Sequence, residues 1–175
     1  VKPYEAGEGD ARSQMTLSWL LGDTKDVDLA LAWSLLSHIL TGTPASPLRK
    51  ALIDSGLGED LTGGGADPYG IEAYFSVGLK GIAGEDADKV EALILDTLKQ
   101  LTSDGIDRET VAASMNTVEF GMRELNTGGY PRGIALMIGM LPTWIHGGDP
   151  MDALGFEAPL QKIKDRLAAG ERFFE

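Results

Sequence analysis

The chain has 175 residues, 43% of them hydrophobic, with 27 acidic against 15 basic side chains and a formal net charge of −12. That length suits one domain with a sizeable core, and the charge argues against a nucleic-acid backbone as partner, which rewards clustered Lys and Arg. Cysteine is absent, which removes disulfides, thiolate nucleophiles and cysteine zinc sites together and fits a reducing compartment. No apolar run is long enough to span a bilayer, and no basic-then-apolar segment resembles a signal peptide, so neither a membrane nor secretion is expected. The acidic excess serves solubility or, alternatively, a surface that attracts basic peptides.

Residues 1–10 (VKPYEAGEGD) mix Pro, Gly and acids without a period and read as a linker. A chain starting at Val1 rather than Met reads as a segment cut from something longer, with residues 11–175 as one α+β domain. Residues 12–21 alternate, with Met15, Leu17, Trp19 and Leu21 on one side and Gln14, Thr16 and Ser18 on the other, which predicts a first strand. Asp23 or Thr24 can cap the next element. The nearly unbroken apolar run from Val27 to Leu40 predicts a helix buried on most of its circumference. After the tight connector TGTPASP, a second helix is expected with Ser46 as cap, Pro47 in its first turn and Gly56 at its end.

The stretch from Gly56 to Ile82 organises the rest. Its first half is a glycine-rich corner, and its second half alternates strictly from Ile71 to Leu79. Ile71, Ala73, Phe75, Val77 and Leu79 share one face, and Glu72, Tyr74, Ser76, Gly78 and Lys80 share the other, the pattern of a half-buried strand inside the main sheet. A third helix opens at Asp86 or Asp88, carries Val90, Leu93, Ile94, Leu98 and Leu101, and stops at Gly105. Asp107 caps a fourth, whose stripe is Val111, Met115, Val118, Met122 and Leu125, with Glu119 and Arg123 paired on its flank. Asn126 to Tyr130 is a loop. From about residue 131 further helices are expected, one from Arg132 to about Ile145 with Pro142 as a candidate bend, and a last one near Pro159 with Leu160, Ile163 and Leu167. The order predicts an α+β fold, a mostly antiparallel sheet with helices on one face.

No constellation here carries catalytic chemistry. His38 and His146 have no second His three to five residues away, so neither builds a helical zinc site. His38 reads as a hydrogen-bonded helix residue and His146 as a surface residue at a helix end. Gly63-Gly64-Gly65 lacks the Lys and Ser or Thr of a phosphate loop and precedes Asp67, so it reads as a flexible corner between strands. A G-x-S-x-G nucleophile elbow is absent. The acidic pairs Glu59-Asp60 and Glu85-Asp86 read as solvated loop edges.

The long segment LLGDTKDVDLALAWSLLSHILTGTPASPLRKALIDSGLGED carries a resemblance, continued in YFSVGLKGI, in ASMNTVEFGMRELNTGGYPRGIALM and in the stretch from Trp144 to Pro150. It is similar to the second, histidine-poor half-unit of the presequence-protease branch of the pitrilysin/insulinase zinc metallopeptidases. The resemblance spans about Ala11 to Ala168. It implies four homologous α+β units in one chain, forming two bowls around a peptide-degrading chamber. It places zinc in the first unit, on an inverted His-x-x-Glu-His motif plus a distant Glu, where the motif's Glu activates water. Thr41 and Gly42 stand where that motif after His38 would have its Glu and second His, so no catalytic or metal residue carries over to this chain.

The resemblance implies a non-catalytic part of an ATP-independent zinc metalloendopeptidase that degrades short unstructured peptides. Its partners would be the catalytic half-unit of the same polypeptide and peptide substrates, basic ones included, with no nucleic acid and no membrane. The fragment alone would be inactive and hold no cofactor. Its place would be a bacterial cytoplasm or an organelle matrix. If helices cover the apolar side of the sheet, Gln14, Thr16, Ser18, Glu72, Tyr74 and Ser76 are left on the open side as candidate chamber-lining residues; the alternative is an ordinary solvated sheet face. A metal-free scaffold or interaction module of the same fold fits the missing motif equally, and a stand-alone α+β domain dimerising through its sheet is a third reading.

Overall fold

The structure, a computed structural model, describes residues 12–68, 70–124, 127, 129 and 131–175. The expected linker at 1–10, Leu125 of the fourth-helix stripe and most of the loop from Asn126 to Tyr130 lie outside the described residues. The elements run β1 (Ser13–Asp23), α1 (Val27–Thr41), α2 (Pro47–Asp54), β2 (Asp60–Asp67), β3 (Glu72–Ile82), α3 (Ala87–Asp104), α4 (Arg108–Glu124), α5 (Arg132–Ile145) and α6 (Glu157–Ala168). Short 3-10 turns sit at Gly84–Asp86 and Asp152–Leu154.

The three strands form one antiparallel sheet in the order β1-β3-β2. Alternation fixes which face of β3 is dry: Ala73, Phe75, Val77 and Leu79 are buried. They pack on Leu40 at the end of α1, Leu48 and Leu52 of α2, and Val90 and Ile94 of α3. All covering helices of this core lie on that one side, giving the α+β layout expected of the sequence. A second cluster joins Leu35 of α1 to Met115 of α4 and to Leu160 and Ile163 of α6. Val111, Val118 and Met122, three more members of the predicted stripe, pack against it. Helix α1 therefore serves both cores, with Leu40 in one and Leu35 in the other.

Gly81 keeps the pattern in register. Ser13 pairs with Ile82 while Gln14 pairs with Lys80, so Gly81 bulges out at φ +73° and Ile82 returns to the dry face.

Four expectations change. Asp26, not Asp23 or Thr24, caps α1: its Oδ1 accepts from the Leu29 amide at 3.0 Å. Asp23 instead accepts from the Lys25 amide at 2.9 Å, and the Thr24 hydroxyl donates to the Gly70 carbonyl at 2.9 Å, pinning the turn before β3. Ile71 is not on the core face; it precedes the strand and is exposed. Gly63, Gly64 and Gly65 are not a corner between strands but part of β2. There, Thr62 pairs with Gly78 and Gly65 with Ser76, so Gly63 and Gly64 form a bulge. Glycine is required because Gly63 has φ +86° and a Cβ there would sit 2.6 Å from the Ser76 carbonyl oxygen. Ser46 stands at the start of α2 as expected but makes no side-chain cap bond to that helix; its hydroxyl donates to the His38 carbonyl at 3.2 Å.

Candidate functional site

The uncovered face of the sheet is built by the even-numbered residues from Gln14 to Leu20 of β1 and from Glu72 to Lys80 of β3, with Asp23 opposite Glu72 beyond the β1 bulge. Ser18 stands opposite Ser76, Thr16 opposite Gly78 and Gln14 opposite Lys80, while β2 sets Thr62 opposite Gly78, Asp60 opposite Lys80 and Asp67 opposite Tyr74. Gly78 is the bare centre of this surface. A Cβ there would sit 1.9 Å from the Met15 carbonyl oxygen, so no other residue fits without moving β1. With no side chain in the middle, Gln14 Nε2 reaches across β3 and donates to Thr62 Oγ1 at 2.7 Å.

Gln14, Thr16, Ser18, Glu72 and Tyr74 are exposed on this face. Ser76 is not: it shares the face but is only 7% exposed. The bulge of β2 closes over it, and its Oγ accepts from the Gly64 amide at 3.1 Å. Leu20, absent from the candidates drawn from the sequence, stands opposite Tyr74 and is 73% exposed. Its signal was available, as an apolar residue on the wet phase of an alternating strand.

Four carboxylates and one ammonium stand on the described part of this face: Asp23, Asp60, Asp67 and Glu72, with Lys80. Lys80 Nζ lies 3.3 Å from Asp60, and the Asp60 carboxyl is held below its ordinary value by the Leu61 amide first and by Lys80 second. The Tyr74 hydroxyl donates to Asp67 Oδ2 at 2.8 Å, which raises the phenol above its ordinary value. No ion pair holds Glu72 among the described residues. This surface offers hydroxyls, an amide and carboxylates, groups that hydrogen-bond an extended backbone and attract cationic side chains. Among the described residues no Ser or Thr hydroxyl of this surface is hydrogen-bonded to a carboxylate or an imidazole.

The histidines lie elsewhere. His38 borders a cleft of about 520 Å³ that also touches Ser37, Thr41, Arg49 and Thr62, on the α1 side of β2. It is not the hydrogen-bonded helix residue expected: its Nδ1 is buried without a hydrogen-bond partner among the described residues, and the ring crowds Gly42, where a Cβ would sit 2.6 Å from Cδ2. His146 ends α5 as expected, but it is half-buried rather than at the open surface, and its Nε2 is enclosed and unpartnered among the described residues. Among the described residues no three His, Cys, Asp or Glu side chains come together as a metal donor set. The residues present therefore do not fit the zinc that the resemblance implies for a first unit, and they support no chemical step through a metal.

The fold defines the class as an α+β unit, a helix-backed three-stranded antiparallel sheet with no metal donor set among the described residues. The comparisons agree with it. Residues 2–118 match the model of the peptidase M16 inactive domain, and the chain belongs to that family. It is 45% identical over 172 residues to presequence protease 1, chloroplastic/mitochondrial, of Arabidopsis thaliana, covering 96% of this chain and 16% of that protein. It is 34% identical over 163 residues to the mitochondrial presequence protease of Yarrowia lipolytica, covering 93% of this chain and 16% of that protein. Its fold resembles the crystal structure of the inactive peptidase domain of a protein from Bordetella parapertussis described as a zinc protease by inference, with TM-score 0.60, 16% identity and 87% of both chains covered. The chain thus spans about a sixth of the length of these curated relatives. No helix among the described residues is long and apolar enough to cross a membrane.

Proposed function

We propose that this unit forms part of the chamber wall of an ATP-independent zinc metalloendopeptidase that degrades short unstructured peptides, with its open sheet face turned toward the peptide. The zinc sits in the first unit of the parent enzyme, and the catalytic half-unit of the same polypeptide is this unit's partner. The parent works in an organelle matrix or a bacterial cytoplasm. The observation that carries the reading is the uncovered face of β1 and β3, on which Gln14, Thr16, Ser18, Glu72 and Tyr74 stand exposed while α1, α2 and α3 pack on the other side. Ser76 contributes to that face through the bulge it anchors.

Four carboxylates against one ammonium on the described face favour cationic peptides. Glu72→Lys in the full-length enzyme should lower kcat/KM for basic peptides about threefold to tenfold relative to neutral ones, less at high salt. Equal kinetics across peptide charges would refute the assignment of this face. A scaffold module of the same fold is the second reading, favoured by the missing donor set among the described residues; it predicts a full-length chain with no peptide hydrolysis at all.

A further inference from the structure

Helix α5 is built inside out. At 100° per residue, Ile134, Met137, Ile138, Leu141, Trp144 and Ile145 fall within an arc of about 120°. Ile134, Met137, Ile138, Trp144 and Ile145 on that arc are 40% to 64% exposed. On the opposite side Pro142 and Thr143 are buried and Leu136 and Met140 half-buried, and Gly139, Pro142 and Thr143 border a cavity of about 200 Å³ shared with Leu31, Met122 and Phe156. Surface helices do the opposite, burying their large apolar side chains. The stretch from 133 to 148 contains no Asp, Glu, Lys or Arg in a chain that is 24% charged. Charge depletion together with exposed Trp and Met is the composition of an interface core.

We propose that this α5 face packs against another unit of the same longer polypeptide, through an apolar counterpart surface poor in charge. The proposal rests on the preceding reading only in taking this chain as one unit of a longer protein, as the 16% coverage of its relatives supports. Area selects this occupant. The five exposed side chains present roughly 500 Å² of apolar surface, the size of the largest and often functional patch on a monomer, yet short of the ~800 Å² per partner that a free-standing dimer needs. A covalently linked partner needs less, because linkage supplies a high effective concentration. Charge disfavours a lipid surface: interfacial helices carry flanking Lys and Arg, whereas this chain has a net charge of −12.

Hydroxyl-radical footprinting of the full-length protein at nanomolar concentration tests this. Met137 and Trp144 should oxidise about tenfold more slowly than in the urea-unfolded protein, as buried interface residues do. Ile138→Glu in the full-length protein should raise Met137 oxidation toward the unfolded rate while the core residue Met115 stays protected. Met137 and Trp144 oxidising within about twofold of the unfolded rate would overturn the proposal. So would protection that vanishes on dilution, which would indicate a second copy, or protection that appears only with anionic lipid vesicles. Peptide hydrolysis is a separate readout: protection without hydrolysis contradicts the chamber alone, and hydrolysis with Met137 open contradicts the docking alone.

Discussion

Tyr74 and Asp67 face each other across β3 and β2, and the phenol donates to the carboxylate at 2.8 Å. The bond favours the neutral phenol, so Tyr74 titrates above the ordinary tyrosine value. The stability this adds is complete below the ordinary value and is lost as pH rises through the raised one. In difference ultraviolet titration against Tyr74→Phe, the phenolate should appear late, and Asp67→Asn should bring it earlier; coincident curves would contradict the bond. Gly78 sets a second test. Gly78→Ala should cost about 2 kcal/mol or more in chemical denaturation, because its Cβ would meet the Met15 carbonyl oxygen at 1.9 Å. Gly121→Ala, on the exposed side of α4 with open space around it, should gain about 0.5–1 kcal/mol. Similar effects from the two substitutions would argue against the close approach of β1 to β3. Alternation alone could not show that Ser76 is covered, because covering it takes a two-residue bulge on a different strand.

Among the elements, the helices were the most legible. Val111, Met115, Val118 and Met122 have one periodicity to obey, and the second core takes all four. The Glu119–Arg123 pair was legible too, at 2.9 Å; its third member was not, since Lys164 comes from α6 and reaches Glu119 at 2.6 Å. Lys164 first, and Arg123 second, hold the Glu119 carboxyl below its ordinary value. The stability from this link is therefore full above the ordinary glutamate value and is lost as pH falls through the lowered one. Urea midpoints tracked down through that acid range should fall less steeply in Glu119→Gln than in the parent chain. Parallel curves would mean that the α4–α6 link adds nothing. The start of α1 was less legible: Asp23, Thr24 and Asp26 can all serve as caps, and tertiary contacts decide among them by engaging Thr24 with the Gly70 carbonyl. The run Gly63-Gly64-Gly65 was misplaced for a related reason. Glycine marks a place where backbone must bend or come close, and only the pairing partner shows which.

At the scale of the molecule, the unit presents two unlike surfaces. The sheet face is polar and acidic, and the α5 face is apolar and nearly free of charge. The first fits a mobile, charged, extended ligand, and the second fits a permanent neighbour. The sheet face was foreseeable from two alternating strands. The α5 face was not, because its periodicity reveals an apolar stripe without revealing which way the stripe turns. The chamber assignment is tested most directly by photo-crosslinking in the full-length enzyme, with a photoreactive amino acid placed in turn at Ser18, at Thr16 and at Lys99 on the outer surface of α3. Incubated with a basic unstructured peptide, the Ser18 and Thr16 variants should form peptide adducts and the Lys99 variant should not. Adducts at Lys99, or none at Ser18 and Thr16 while the enzyme still cleaves the peptide, would contradict a chamber lined by this sheet.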